Sequence, residues 1–525
     1  MDTKALRQKV LDLAIRGKLV PQNPNDEPAS VLLERIRQQK QQMVKEGKLK
    51  AKDIKNDTII FVGEDNLHYE KFADDSVKCI EDEIPFELPD GWAWERLSNL
   101  ASFSGGKTPS TSRSEYWDGD ILWVTSKDMK SKYITSSQLR LSTLGAEQMQ
   151  MYQPDTLLLV TRSGILRHTL PVAILKECAT INQDLKAIIL YMPQLAEYIY
   201  VCLKGMETQL LLKYTKSGTT VENVNFDEFQ KVLLPIPSIQ QIDRIMSSTG
   251  SAESVVSTIE DDKAALADYV IKAKSKILDL AIRGQLVPQD PNDEPASVLL
   301  ERIRAEKEEL IKQGKLKRDK KESVIFRGED NSYYEKIGGK VVNIDDEIPF
   351  ELPDSWFWCR LGNIGDWQTG ATPNRRKPEY YEGAIPWIKT GDLNNGYITE
   401  VPEAITELAL AETSVKVIPS NTVIVAMYGA TIGKVGITTF ESTTNQACCA
   451  CCNPQAVRGK YLFYYLMSHK EVFVSMAEGG AQPNISKEKI VATLIPIPPY
   501  DEQTRITKIV EASFSILDRV EKSLS

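Results

Sequence analysis

The chain has 525 residues, 42% apolar and 26% charged, which suffices for about three or four cores at roughly 100 to 200 residues per domain and excludes a disordered chain. The N-terminus, Met1-Asp2-Thr3-Lys4, is charged and no uninterrupted apolar run approaches the roughly 20 residues of a membrane span, so the expectation is a cytoplasmic protein with no membrane partner and eight reduced thiols. A net charge of −9 excludes a protein that is basic throughout, so nucleic-acid contact would require Lys and Arg gathered on one face.

The first predicted element is a helix, because Leu6, Val10, Leu13 and Ala14 recur at helical spacing and the pattern stops at Gly17 with Pro21 beyond. The turn Pro24-Asn25-Asp26-Glu27-Pro28 then starts a second arm with Val31, Leu32 and Ile36, and a Lys-rich end at 45–55 completes an N-terminal helical region, 1–55. From 80 to 237, runs such as Thr156-Leu157-Leu158-Leu159-Val160 alternate with Gly, Pro, Ser and Asn clusters, the pattern of strands joined by long loops. The central region, 238–321, carries Ile242, Ile245, Val256, Ile259, Ile277 and Ala281 up to Gly284 and Pro288. One helix of about 40 residues there would span roughly 60 Å. A second arm with Val298, Leu299 and Ile303 and the Lys-rich stretch 312–321 follow. A second mainly-β region occupies 345–498, and at 499–525 Ile506, Ile509, Val510, Ile516, Leu517 and Val520 form one apolar stripe, a helix expected to pair with the central one. The fold class is α+β.

The chain is one unit written twice. Residues 9–37 return at 276–304 with 26 of 29 positions identical, and 81–100 return at 345–364 with 14 of 20 identical. Weaker echoes stay in register: Gly106-Lys107-Thr108-Pro109 with Gly370-Ala371-Thr372-Pro373, Trp123 with Trp387, Asn182-Gln183 with Asn445-Gln446, and Pro235-Ile236-Pro237 with Pro496-Ile497-Pro498. The stretch 241–264 has its counterpart at 502–525, whereas 268–304 has its counterpart at the N-terminus. The order is therefore circular, and a pseudo-twofold molecule whose chain ends meet is expected.

Two divergent strand-and-loop regions separated by two near-identical helical segments, with GxTP, NQ and PIP followed by a long helix, resemble the specificity subunits of type I restriction-modification systems. The resemblance covers nearly the whole chain and rests above all on the block LDLAIRGxLVPQxPNDEPASVLLERIR. It implies two target-recognition domains, each reading one half of a bipartite double-stranded DNA target. The conserved helical regions would pair as an antiparallel coiled-coil spacer. Two methyltransferase subunits and, for cleavage, restriction subunits are the implied partners, with S-adenosylmethionine, ATP and Mg2+ belonging to them. No catalytic residue, cofactor or metal is assigned to this chain. An autonomous DNA-modifying enzyme and a helical scaffold without DNA readout are the alternatives.

Positions identical in both copies suit the shared fold, and positions that differ suit base reading. The first divergent loop sets Lys107, Thr108, Ser110, Thr111, Ser112 and Arg113 against Thr372, Asn374, Arg375, Arg376 and Lys377. Arg can read guanine and Asn adenine with two hydrogen bonds, although phosphate contact is the equal alternative. A second loop sets Arg162, Ser163, Arg167 and His168 against Met427, Tyr428, Thr431 and Lys434, with Arg162 aligned on Met427. Lys216, Ser217, Thr219 and Thr220 stand against Gln482 and Asn484. The shared Asn182, Gln183, Asn445 and Gln446 suit either DNA contact or the satisfying of backbone groups. At least one of Trp92 and Trp94, and one of Trp356 and Trp358, should be core.

Three features look catalytic without being so read. Cys448-Cys449-Ala450-Cys451-Cys452 has the apolar counterpart Leu185-Lys186-Ala187-Ile188-Ile189, so it reads as a buried strand and not a metal site. The stretch Gly429 to Lys434 is one residue short of a phosphate loop and lacks the closing Ser or Thr, and Gly106-Lys107-Thr108 has Ala101 where the first Gly belongs.

Overall fold

The computed structural model describes residues 2–216, 221–314, 323–480 and 482–524. Ser217, Thr219 and Thr220 lie outside the described residues, as does most of the Lys-rich stretch at 312–321. The chain divides into two compact units, Met1–Asp262 and Lys263–Ser525. A single 44-residue helix, Ile239–Ile282, supplies its first part to one and its last part to the other.

In the first unit, helix Thr3–Ile15 is N-capped by Asp2, whose side chain accepts from the Ala5 N–H at 2.9 Å. It ends at Gly17, whose φ of +65° only glycine adopts freely; a Cβ there would sit 2.5 Å from Pro89 of the repeated ELPD block. That glycine both stops the helix and lets the block close over its end. The helix lies antiparallel to the start of the long helix: Arg7 pairs with Glu260 at 2.7 Å, and Asp26, beyond the turn, pairs with Arg244. Helix Ala29–Lys45 follows, its Ala29 N–H donating to the Gly91 carbonyl at 2.7 Å.

The body of this unit is a five-stranded sheet in the order Ala101–Gly105, Leu185–Leu190, Leu157–Val160, Val172–Leu175, Tyr133–Ile134, antiparallel except for the last pair. Central Leu157, Leu158, Leu159 and Val160 are fully buried; covered on both faces, such a strand reads as an unbroken apolar run, each side chain contributing about 2 kcal/mol. Ala179–Ile181, Trp117–Val124 and Leu139–Leu141 form a second sheet.

The second unit repeats this plan. Its five-stranded sheet runs Asp366–Thr369, Cys448–Cys452, Val423–Ala426, Val435–Thr438, Gly396–Ile398. Gly284, at φ +67°, ends the long helix against Pro353 as Gly17 does against Pro89. Helix Tyr500–Leu524 lies antiparallel to residues 263–282, with Lys274 on Asp518 and Glu521 at 2.6 and 2.8 Å and Arg505 on Asp293. The cysteine run occupies a buried strand, Cys449 and Cys451 packing into one core and Cys448 and Cys452 into another. Burial pushes the Cys449 thiol up to about 12. Trp94, Trp356 and Trp358 are buried, and Trp92 is half-buried with its indole N–H on Gln22 at 3.0 Å.

One element has no counterpart in the sequence reading. Ile59–Val62, His68–Lys71 and Val77–Cys79 form a three-stranded antiparallel sheet, repeated by Ser323–Arg327, Tyr333–Ile337 and Lys340–Asn343. Each is tied to its unit by an arginine, buried in the first unit and partly buried in the second. Arg96 donates to Glu70 at 2.6 Å and to Glu83 at 2.9 Å, and Arg360 donates to Glu335 and Glu347, both at 2.7 Å. Burial pushes the Glu70 and Glu335 carboxyls up, but hydrogen bonds from these arginines and from Thr58 and Ser323, together with the guanidinium charges, outweigh it and hold both below the usual carboxylate range.

Beside Arg96, Glu95 is buried within reach of Asn99, Arg37 and Lys40; burial outweighs those neighbours and lifts its carboxyl to about 7. Cys359 fills the matching place in the second unit.

Candidate nucleic-acid interface

The loop leaving strand Ala101–Gly105 turns at Gly106, whose main chain passes so close to the next sheet that any Cβ would overlap the Ile181 and Asn182 carbonyls. The Lys107 N–H donates to the Ile181 carbonyl at 3.0 Å, the Thr108 hydroxyl donates to Gln183 Oε1, and the Trp123 indole N–H donates to the Lys107 carbonyl at 3.2 Å. The second unit builds the same joint. Gly370 would overlap Thr444, Ala371 N–H reaches the Thr444 carbonyl at 3.0 Å, Thr372 donates to Gln446 Oε1, and Trp387 donates to the Ala371 carbonyl at 3.1 Å. The GxTP, Trp and NQ echoes are thus three parts of one joint that presents the divergent loop.

A second shared joint lies where the central strand leaves the sheet. The Thr161 N–H donates to the Asp184 carbonyl at 2.8 Å, Val224 N–H to the Thr161 carbonyl at 2.9 Å, and Ser163 N–H to the Glu222 carbonyl at 3.2 Å. Arg162 is bridged to Asn223, which stands opposite Lys216. In the other unit Met427 N–H donates to Ala447 at 2.8 Å, Ile485 N–H to Met427 at 2.9 Å, Gly429 N–H to Pro483 at 2.8 Å, and Tyr428 is bridged to Asn484. The structural counterpart of Arg162 is therefore Tyr428. The alignment on Met427 is corrected, because Met427, like Thr161, points into the core while Arg162 and Tyr428 are exposed. Asn484 likewise matches Asn223 and not the residues after Lys216.

Asp184 and Gln183 share one turn, so both joints of the first unit gather the loops at 107–113, 162–168, 182–184, 216 and 223 together. In the second unit the same joints gather 371–377, 428–434, 445–447 and 482–484.

Within these clusters the side chains differ in how they are held. Arg113 donates to the Tyr116 hydroxyl at 2.9 Å, and Arg167 pairs with Glu222, whose carboxyl that hydrogen bond holds below the usual range. Arg375 is fixed on Glu403 at 2.9 Å and lies over the Tyr381 and Trp387 rings, and Lys377 reaches the Tyr380 hydroxyl at 2.8 Å. Ser110 and Ser112 hydrogen-bond each other at 2.8 Å, Asn374 accepts from the Arg376 N–H at 3.0 Å, and Ser163 caps the short turn at Gly164–Arg167. Thr431 donates to the Tyr428 carbonyl at 2.7 Å. Lys107, Thr111, Arg162, His168, Lys216, Arg376 and Gln482 are exposed, and Lys434 is partly so. Asn182 is buried and closes its turn with Asp184, and Asn445 does the same with the Ala447 N–H at 3.1 Å, so those two amides face inward to the backbone.

The residues missed by sequence reasoning are Asn223, Glu222 and Glu403. The available signal was the pair Asn223-Val224 and Asn484-Ile485, whose offset differs from that of the neighbouring echoes. The stretch Gly429–Lys434 connects antiparallel strands Val423–Ala426 and Val435–Thr438, not a strand to a helix. Among the described residues no group of His, Cys, Asp or Glu is placed to hold a metal ion, and no helix is long and apolar enough to cross a membrane.

A duplicated α+β chain whose two units each present divergent loops from one shared frame is the architecture of a two-part target reader. The family model of the type I restriction modification DNA specificity domain matches residues 89–251 and again 353–524, and the chain belongs to that family. It is 26% identical to the EcoAI specificity subunit of Escherichia coli, over 96% of this chain and 87% of that one, and 25% identical to the EcoEI specificity subunit of the same organism, over 99% and 90%. A solved chain from work on complex assembly and conformational transition of the type I R-M system shares the fold, with a TM-score of 0.53 at 14% identity over 84% of this chain and 94% of that one.

Proposed function

We propose that this chain is the non-catalytic, DNA-reading subunit of a type I restriction-modification complex, each unit reading one half of a bipartite double-stranded target through its loop cluster. The observation that carries the reading is the pair of matched joints: identical main-chain bonds in both units present side chains that differ. Shared phosphates call for shared contacts, whereas two different half-sites call for different ones. Lys107, Arg162, Lys216, Arg376 and Lys434 supply positive charge to the clusters of a chain that is acidic overall. The helical regions, 1–55, 238–321 and 499–525, act as the spacer that fixes the gap between half-sites and as the docking surface for two methyltransferase subunits, with restriction subunits joining for cleavage. S-adenosylmethionine, ATP and Mg2+ are used by those partners. The familial relationship and the duplicated units support this division of labour.

The test exchanges residues 80–237 for the same region of another family member and maps methylated sites in cells carrying the partner subunits. One half of the recognised sequence should change and the other persist. An unchanged motif would favour a scaffold role, and methyl transfer by the purified chain alone would favour an autonomous enzyme.

A further inference from the structure

The position shared by Arg162 and Tyr428, like that shared by Lys107 and Ala371, has its surrounding backbone held the same way in both units. It sits two residues beyond the buried central strand, and its neighbours on both sides are fixed by the same three main-chain hydrogen bonds in each unit, 2.8 to 3.2 Å long. The residue itself is bridged to an asparagine, Asn223 or Asn484. Its side chain points outward in both units, and Tyr428 is 42% exposed. Base reading by hydrogen bonds needs a side chain on a rigid mount, because a displacement of even an ångström forfeits the geometry. Of the other cations, Lys107 is a single ammonium that cannot make the forked contact of a guanidinium, Arg376 rides on a loop, and Arg113, Arg167, Arg375 and Lys377 are engaged by Tyr116, Glu222, Glu403 and Tyr380. Arg162 carries no ion pair among the described residues.

The change of residue type decides between phosphate and base. Phosphates are the same in both half-sites, so a phosphate-binding position on an identical mount should keep its cation in both units. Here a guanidinium in one unit is a phenol in the other. We propose that position 162/428 is a specificity-determining position, at which Arg162 reads a guanine through its O6 and N7 acceptors in the half-site of the first unit. Tyr428 makes no such paired contact in the other half-site. The main-chain bridge to Asn223 or Asn484 is common to both. This rests on the two-half reading above.

The test uses the full chain co-expressed with its partner methyltransferase subunits, with genome-wide mapping of methylated sites and binding to oligonucleotide duplexes carrying each base at each motif position. Arg162→Ala and Arg162→Lys should each relax one guanine position in one half-site by roughly 5- to 150-fold in discrimination, and leave the other half-site unchanged. The Lys variant should retain most of the affinity, since its charge remains. Tyr428→Arg should add a guanine preference to the opposite half-site. The exposed location leaves the fold intact, which circular dichroism of each variant checks. A uniform loss of affinity with an unaltered motif would mark Arg162 as a phosphate contact and overturn the proposal, as would variants indistinguishable from the parent. A parent complex that methylates an unsplit motif would fail the two-half reading itself, a separate result.

Discussion

Adding a single methyl group at Gly106 tests the first joint directly. A Cβ there would stand 2.5 Å from the Ile181 carbonyl carbon and closer still to its oxygen, with Asn182 on the same side. Ordinary contact is near 3.4 Å, so the backbone of the loop or of the Ile181–Asn182 strand end must retreat by about 1 Å, and overpacking of this kind costs roughly 1–3 kcal/mol. The retreat also stretches the 3.0 Å bond from Lys107 N–H to the Ile181 carbonyl, worth about 1 kcal/mol. Gly106→Ala should therefore lower the stability of the first unit by about 2–4 kcal/mol in urea denaturation. It should also weaken methylation at one half-site, because the displaced loop carries Lys107 to Arg113. Gly105→Ala is the matched control, since its Cβ would meet only the mobile end of Lys186 at 2.8 Å, and it should cost little. Equal behaviour of the two variants would refute the argument that close approach at Gly106 holds the loop.

Arg360→Met strands Glu335 in a buried site and should cost about 3–5 kcal/mol, most of it restored by adding Glu335→Gln, as read by urea denaturation. Glu95 has a carboxyl raised to about 7 in the folded chain by burial, so its contribution is fully present below the unfolded carboxylate range and is lost as pH rises through 7. Stability of the first unit should fall between pH 5 and 8, and Glu95→Gln should flatten that slope in pH-dependent thermal melts. Thiol titration of the native chain should find Cys79 and Cys178 reactive, the other six cysteines being buried and answering only after denaturation.

The helices were legible because their stripes are long and their stops are physical: Gly17 and Gly284 must adopt positive φ, and proline follows each. The long central helix and the doubling were equally plain from spacing and identity. The small sheets at 59–79 and 323–343 were not: Ile59, Phe61 and Val62 are all exposed in the first, and in the second the buried positions Ser323, Ile325 and Glu335 mix polar with apolar residues, so neither carries an apolar alternation. The first joint was half visible: GxTP, Trp and NQ stood out as echoes, but nothing local says that they touch. The second joint was misaligned because the offset between copies drops from 266 at Arg162 to 261 at Asn223. A register set by strand bridges, not by chain length, is invisible to an alignment that assumes constant spacing. The cysteine run reads as a buried strand from its apolar counterpart and forms one, which shows that a repeat can stand in for a set of relatives.

The second joint is built from peptide groups, and the first adds only Thr, Gln and Trp side chains that are the same in both units. What projects from them can therefore mutate at nearly no cost in folding free energy, since exposed substitutions typically fall within about 0.5 kcal/mol. Selection acting on target choice is then free of the usual tax on stability, and a lineage under pressure from changing invaders could exchange the letters it recognises while the mount beneath them stays put.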